Sequence, residues 1–180
     1  MDLKEKKIND EIVFKGHLLE VHKDEVLCPN GHKSTREFIN KGKAACVIAL
    51  NNDGKFILER QFRYPYDDVI IEFPAGKSDP NEDGKVTAFR ELKEETGYEA
   101  NTLVYLGSTY PSVAYTNEII DLYFAKDLKM TETHLDENEF VEVFYKSEDE
   151  IKEMIVNGQI KDAKTTHAFL LYLLNKDKLN

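Results

Sequence analysis

The chain has 180 residues, of which 41% are apolar and 32% charged, a composition typical of a globular domain rather than a disordered chain. With 24 Lys+Arg against 34 Asp+Glu, the formal net charge is −10, which disfavours non-specific binding to nucleic acid. Every apolar run is shorter than the ~18 residues that a membrane-spanning helix needs.

The first forty residues predict short β-strands joined by turns. Apolar residues stand at alternate or consecutive positions, and Asn30-Gly31 predicts a turn between two of the strands. The strands are expected at Glu11–Phe14, Leu18–Lys23, Asp24–Cys28 and Ser34–Asn40. Residues 1–40 are therefore expected to form a small antiparallel β segment ahead of a larger domain over residues 41–180.

The larger domain is expected to mix strands with three helices. Asp83 can cap the first helix and Gly97 can end it, while residues 147–150 form a capping box for a second helix that ends near Asn157. A third helix is expected over 162–175. The strands are expected at 44–50, 55–62, 69–73, 103–109, 119–125 and 140–145. This pattern predicts an α/β or α+β sandwich with helices packed on a mixed sheet.

The cellular compartment is inferred from the cysteines and the N-terminus. Cys28 and Cys46 are too few and too isolated for a disulfide framework or a zinc site. Residues 1–10 are lysine-rich and polar, unlike a secretory signal. A cytoplasmic protein with reduced thiols is expected.

Three glutamates share one face of the first predicted helix. Glu91, Glu94 and Glu95 have the spacing i, i+3, i+4 and fall within an arc of about 100°, beside the apolar Ala88 and Leu92. Like charges next to a core are unfavourable unless a cation neutralises them, and carboxylate oxygens suit Mg²⁺ or Mn²⁺. A solvated acidic stripe is the alternative that the helix pattern alone allows.

The wider spacing around these glutamates resembles the signature of the Nudix hydrolases. The matching positions are Gly76, Glu82, Arg90, Glu91, Leu92, Glu94, Glu95, Gly97 and Tyr98. At the seven of these nine positions where the signature requires one particular residue, a full match is expected by chance on the order of 10⁻⁹ per starting position. The resemblance implies an α/β/α sandwich and metal-dependent hydrolysis of a nucleoside diphosphate linked to another group.

The resemblance also implies roles for the residues of this box, 76–98. Glu91 and Glu95 would be the principal ligands of two or three Mg²⁺ or Mn²⁺ ions, Glu94 would assist, and the Ala75 carbonyl would be a further ligand. The structural residues that orient the helix would be Gly76, Glu82, Arg90 and Gly97.

Segments outside the box resemble the ADP-ribose pyrophosphatase branch, which also includes sugar-nucleotide pyrophosphatases. They lie at 36–37, 41–45, 61–65, 72–76 and 135–139. The products would be a nucleoside monophosphate and a sugar phosphate. The substrate-binding residues implied by this resemblance are Arg36, Glu37, Arg63, Glu72 and Ser112.

The resemblance places the general base outside the box. Glu137 matches the base of this branch, and Glu139 matches an acidic position that can reach a metal. An exposed acidic turn is the alternative for this segment, with a box glutamate, Glu94 or Glu91, acting as the base instead.

One departure concerns the expected substrate. The branch has Ser-Pro-Gly downstream of the box, where this chain reads Ser112-Val113-Ala114, so the backbone restraint of proline and the freedom of glycine are both absent. ADP-ribose or a related nucleotide sugar is the expected substrate. The alternatives are another nucleotide (NADH, a dinucleoside polyphosphate or CoA) and a non-catalytic ADP-ribose sensor. The sensor is disfavoured because all box carboxylates are present.

The oligomeric state is the last expectation. Residues 1–40 would join two copies into a homodimer, since a strand edge left exposed in a monomer favours pairing. A monomer whose N-terminal sheet folds onto its own domain is the alternative.

Overall fold

The computed structural model describes residues 2–135 and 137–179. They form two compact units, the first running up to Gly42 and including Ser112–Glu118, and the second comprising Lys43–Pro111 and the chain from Ile119 onwards. No helix within the described ranges is both long and apolar enough to cross a membrane.

The first unit is a four-stranded antiparallel sheet built around one long strand. Its strands are β1 (Lys6–Asn9), β2 (Ile12–Lys15), β3 (Glu20–Leu27) and β4 (Lys33–Asn40). β3 pairs with β1 and β2 along one edge and with β4 along the other. Segment 112–118, which the sequence assigned to the larger domain, belongs to this unit and bonds to β4 through Ile39 N and Tyr115 O at 2.8 Å.

The structure differs from the predicted strands of this unit in two places. The strands expected over 18–23 and 24–28 are one continuous β3, because β4 pairs with it without interruption from Glu20 to Leu27. β1 was not predicted, since Lys6–Asn9 is polar and forms a strand by pairing at an edge.

The second unit contains a seven-stranded mixed sheet and three helices. Its strands are β5 (Lys43–Leu50), β6 (Phe56–Arg63), β7 (Asp68–Glu72), β8 (Ala75–Lys77), β9 (Tyr98–Thr109), β10 (Ile119–Met130) and β11 (Val141–Lys146). The order is β11-β6-β5-β10-β9, with β7 paired to β6 and β8 to β5. Only β10 and β5 are parallel, and the other pairs are antiparallel.

The helices cover both faces of this sheet. They are α1 (Gly84–Thr96), α2 (Glu148–Val156) and α3 (Ala163–Leu179). Successive residues of the buried β5 contribute to opposite faces: one core cluster contains side chains of α1, and the other contains side chains of α2 and α3. The expected α/β/α sandwich is confirmed.

The sheet opens between β5 and β6. These strands pair only at Ala49–Ile57 and Leu50–Phe56, after which β7 continues along β6 and β8 along β5. Pro74 O between them accepts a hydrogen bond from Val47 N at 2.9 Å. This opening and the segment 68–77 that fills it are called the fork below.

The helix boundaries follow the predicted caps. Asp83 accepts a hydrogen bond from Lys85 N, and Gly97 ends α1 with φ 73°, a left-handed conformation that glycine adopts at low cost. Ser147 and Glu150 form the expected capping box of α2. α3 extends beyond the predicted end, to Leu179, whose side chain is buried.

Candidate active site

The turn from β8 into α1 brings the chain against the acidic face of the helix. A Cβ placed on Gly76 would collide with the Glu91 carboxylate, so a larger residue here would displace this carboxylate from its position against the turn. Ala75 N donates a hydrogen bond to Glu95 Oε2 at 2.9 Å. The turn and the carboxylates of α1 therefore hold each other in position.

Two of the three glutamates on this face are buried. Glu91 is 9% exposed and Glu95 only 3%. Burial raises the pKa of Glu91 to about 7. Burial, followed by the negative charges of Glu59 and Glu91, raises the pKa of Glu95 to about 10. The solvated stripe that the helix pattern allowed does not apply to these two residues.

Arg90 lies across the same face and contacts three carboxylates. Its guanidinium donates to Glu82 (Nη2–Oε2 3.1 Å), to Glu91 (Nη1–Oε1 2.8 Å) and to Glu94 (Nη1–Oε2 3.0 Å). It also donates to the Lys77 carbonyl at 2.8 Å. The hydrogen bonds from Arg90 lower the pKa of Glu82 to about 2. Arg90 thus ties the loop before α1 to the helix.

The donor set suits a hard divalent cation. Glu91 and Glu95 offer carboxylate oxygens that burial makes unfavourable to ionise without a cation, and such oxygens are the preferred ligands of Mg²⁺ and Mn²⁺. Within residues 2–135 and 137–179, no three acidic, histidine or cysteine side chains are already grouped as a metal site. In the structure Arg90 occupies oxygens of Glu91 and Glu94.

The loop from 131 to 140 starts beside the end of α1. Thr131 N donates to Gly97 O, and His134 N donates to Glu94 O at 3.0 Å. Asp136 lies outside the described residues. The side chains of Glu137 and Glu139 follow this anchored start.

The two candidate glutamates of the loop differ in environment. Glu137 lies on an exposed turn. Glu139 is half-buried, and its Oε1 lies 3.4 Å from Gln61 Nε2. After burial, the charge of Glu139 is among those that raise the pKa values of Glu91 and Glu95. The structure therefore brings Glu139 to the acidic face, while Glu137 faces solvent.

Glu72, one of the predicted substrate-binding residues, lies in the fork. It is 2% exposed, and it accepts from Arg63 through Nε at 2.6 Å and Nη2 at 2.8 Å. Lys164 Nζ also contacts Glu72 Oε2. Burial alone would raise the pKa of Glu72, but Arg63 and Lys164 lower it. Both oxygens of Glu72 are therefore occupied, and they hold Arg63 in place.

Glu59 is a buried carboxylate that the sequence interpretation did not single out. It is 1% exposed, and burial, followed by the charge of Glu72 opposite it on β7, raises its pKa to about 8. The sequence carries one sign of this burial. Glu59 stands two positions after Ile57, so both side chains lie on the same face of the strand, and Ile57 belongs to the buried core.

Arg36 and Glu37 lie in the first unit. Arg36 Nε donates to Glu5 Oε2 at 2.9 Å, and its Nη2 contacts the other oxygen. Glu37 is exposed, with Lys23 Nζ at 4.0 Å. Both side chains are on β4, and neither is buried.

Ser112 also belongs to the first unit, at the start of a turn. Its carbonyl accepts hydrogen bonds from Tyr115 N at 3.0 Å and Thr116 N at 3.1 Å. The next residue, Val113, is 83% exposed. The turn thus forms without the proline and glycine of the resembling branch.

The comparison with protein families matches the NUDIX domain over residues 40–169. The chain belongs to the Nudix family. This match includes the whole box and the fork.

Similar proteins extend over nearly the whole Nudix chain. It is 37% identical over 179 residues to an ADP-ribose pyrophosphatase of Bacillus subtilis (strain 168), covering 98% of this chain and 96% of that protein. It is 42% identical over 166 residues to a methanol dehydrogenase activator of Bacillus methanolicus, covering 91% and 90%. A crystal structure of an ADP compounds hydrolase has the same fold, with a TM-score of 0.87 and 23% identity over 99% of this chain and 98% of that one. The chain is a Nudix pyrophosphatase.

Proposed function

We propose that the protein hydrolyses the pyrophosphate bond of ADP-ribose or a related nucleotide sugar, with a nucleoside monophosphate and a sugar phosphate as products. The observation that carries this proposal is the pair of buried carboxylates, Glu91 and Glu95, packed against the Ala75-Gly76 turn. The similarity to an ADP-ribose pyrophosphatase supports the substrate class.

The proposed cofactor is Mg²⁺ or Mn²⁺, in two or three ions. When bound, such cations offset the charge of the two phosphates and of the leaving group. The residues that would hold them are the Ala75 carbonyl, Glu91, Glu94, Glu95 and Glu139. Gly76, Glu82, Arg90 and Gly97 would orient the helix that carries three of these ligands.

The chain's own residues divide the remaining work. Arg63 would donate to a substrate phosphate, because a guanidinium offers a planar set of donors that matches phosphate oxygens, and Glu72 and Lys164 would position it. Glu137 would take the proton from the attacking water. Its exposed position leaves the carboxylate accessible, and Glu94 is the alternative base within the box.

The contacts to the nucleoside and sugar ends of the substrate complete the proposal. Arg36 and Glu37 would contact the nucleoside, and Ser112 would contact the sugar side. We also propose a homodimer formed through residues 1–40, since the edge strand β2 exposes Val13 (49%) and Phe14 (55%), and light scattering of the purified protein tests it. The cytoplasm is the proposed compartment, in keeping with two free cysteines.

The test is a product-release screen with Mg²⁺ or Mn²⁺. ADP-ribose, ADP-glucose, GDP-mannose, NADH, CoA and diadenosine polyphosphates are each supplied, and a phosphatase reports the phosphate monoesters formed. Cleavage of ADP-ribose or another nucleotide sugar supports the proposal. Preference for NADH, CoA or a dinucleoside polyphosphate would replace the substrate class. Binding of ADP-ribose without any turnover would favour the sensor.

A further inference from the structure

Glu59 stands out among the buried carboxylates of the second unit because it has no hydrogen-bond partner. Both Oε1 and Oε2 are buried, and neither meets a donor among the described residues. Leaving a buried polar group unsatisfied costs about 1–3 kcal/mol, and more for a charged group, so native proteins rarely keep one without a reason.

The neighbouring acids show that partners are available nearby but assigned elsewhere. Glu72, opposite Glu59 in the β6–β7 ladder, receives both Arg63 and Lys164. Glu95 accepts from Ala75 N. The cations that could have paired with Glu59 are thus committed to Glu72.

The position of Glu59 on β6 faces the acidic side of α1. Side chains of a strand alternate between faces, so Glu59 shares a face with Ile57 and Gln61. Ile57 packs in the same core cluster as Leu92 of α1, and Gln61 reaches Glu139. Glu59 therefore lies between the core beneath α1 and the loop that carries Glu139.

We propose that Glu59 contributes a carboxylate oxygen to the divalent-cation site formed around Glu91 and Glu95. This inference rests on the proposed function, because that function supplies the cations. It gives the unpartnered oxygens of Glu59 a positively charged partner. It also adds to the site a residue that lies outside the box and outside the 131–140 loop.

The test measures Mn²⁺ binding by the full chain, with electron paramagnetic resonance for the free ion and calorimetry for affinity. Glu59→Gln has nearly the same size as glutamate, and it removes the charge. Loss of one bound Mn²⁺, or affinity weaker by ~10-fold or more as for other groups that support a metal site, would support the proposal. Mn²⁺ binding equal to that of the wild type would overturn the proposal. A neutral glutamine would then serve as well as Glu59, as expected if Glu59 stays protonated and binds no cation.

A matched control and a second variant keep the test decisive. Glu142→Gln removes an exposed carboxylate one step along the β6–β11 ladder, where Glu142 pairs with Arg60, and it should leave Mn²⁺ binding unchanged. Melting in EDTA checks that Glu59→Gln folds. If it does not, Glu59→Asp withdraws the carboxylate by one methylene group and should bind Mn²⁺ more weakly, whereas unchanged binding would contradict the proposal. A wild-type protein that binds no Mn²⁺ would instead overturn the proposed metal site as a whole.

Discussion

Along the acidic face of α1, one arginine contacts three glutamates. In the fork, two basic side chains contact one glutamate, and a second glutamate has no basic partner in the part of the chain that the structure describes. Arg90 contacts Glu82, Glu91 and Glu94 with partly exposed groups. In the fork, Lys164 and Arg63 both contact the buried Glu72. Both regions bury negative charge, but the fork also holds a carboxylate, Glu59, that no donor among the described residues reaches.

This difference separates structural charge from charge available to a ligand. A carboxylate with two fixed cations gains little from a further one, so we expect Glu72 to affect stability more than metal binding. Glu91 and Glu95 have fewer fixed partners and raised pKa values, so we expect them to affect cation binding more than stability. Mutations in the two regions should therefore separate these two properties.

The largest effect is expected from Glu95→Gln. Removing this charge should lower metal-dependent turnover of the preferred nucleotide sugar by ~10³-fold or more, equivalent to about 4 kcal/mol. The folded state should be kept, because the neutral amide can still accept from Ala75 N. Turnover with saturating Mg²⁺ and the urea midpoint are measured together, with Glu99→Gln at an exposed pair with Lys93 as the control. Full activity in Glu95→Gln would contradict the assignment of the acidic face.

Lys164→Met tests the fork, where we expect an effect on stability rather than on metal binding. Burial alone would lower the pKa of Lys164, but Asp162 and Glu72 hold it above its usual value, which indicates a favourable pairing. Losing it should lower the free energy of unfolding by about 3 kcal/mol, at the low end for a broken buried pair because Arg63 remains on Glu72. Urea denaturation measures this change.

The matched control for the fork is Lys161→Met. Lys161 pairs with Asp68 at 2.8 Å, but both side chains are exposed, so the change should be only ~0–1 kcal/mol. Equal losses from the two lysine variants would remove the distinction between a buried structural pair and a surface pair.

Glu137→Gln should lower kcat by about 10²-fold with a modest change in KM, as expected for a general base. The side chain is exposed, so stability should not change. Steady-state kinetics with the preferred substrate measure both constants. A change confined to KM would move the base to Glu94 or Glu91.

The box and its helix could be predicted because their determinants are local. Asp83, Gly97 and the spacing of Glu91, Glu94 and Glu95 define the helix, its ends and its acidic face within one short segment. The sandwich could be predicted from strand-length apolar runs such as 44–50.

The fork could not be predicted because its contacts join distant parts of the chain. Lys164 and Glu72 are far apart in sequence, and nothing local to either residue indicates that α3 begins beside β7. The first residues of the long β9 were also not predicted to be a strand. Glu99 and Asn101 are polar, and pairing with β10 determines that this part of the chain is extended. Glu59 was not singled out from the sequence, because its burial depends on both neighbours of β6.

The last expected effect concerns how stability depends on pH in the absence of metal. Burial raises the pKa of Glu91 to about 7, above its value in the unfolded chain, so the native state binds more protons between about pH 5 and 7 and stability falls as pH rises through this window. The raised pKa of Glu59 acts in the same direction up to about 8, whereas Glu82, with a pKa lowered to about 2, already contributes fully above pH 5. Melting in EDTA should therefore give a Tm that declines from pH 5 to 8, by ~2–4 °C for each 1 kcal/mol lost in a chain of this size. Glu91→Gln should make this decline shallower without removing it, because Glu59 and Glu95 also have raised pKa values. A Tm that rises from pH 5 to 8 would contradict the raised pKa values of these buried carboxyl groups.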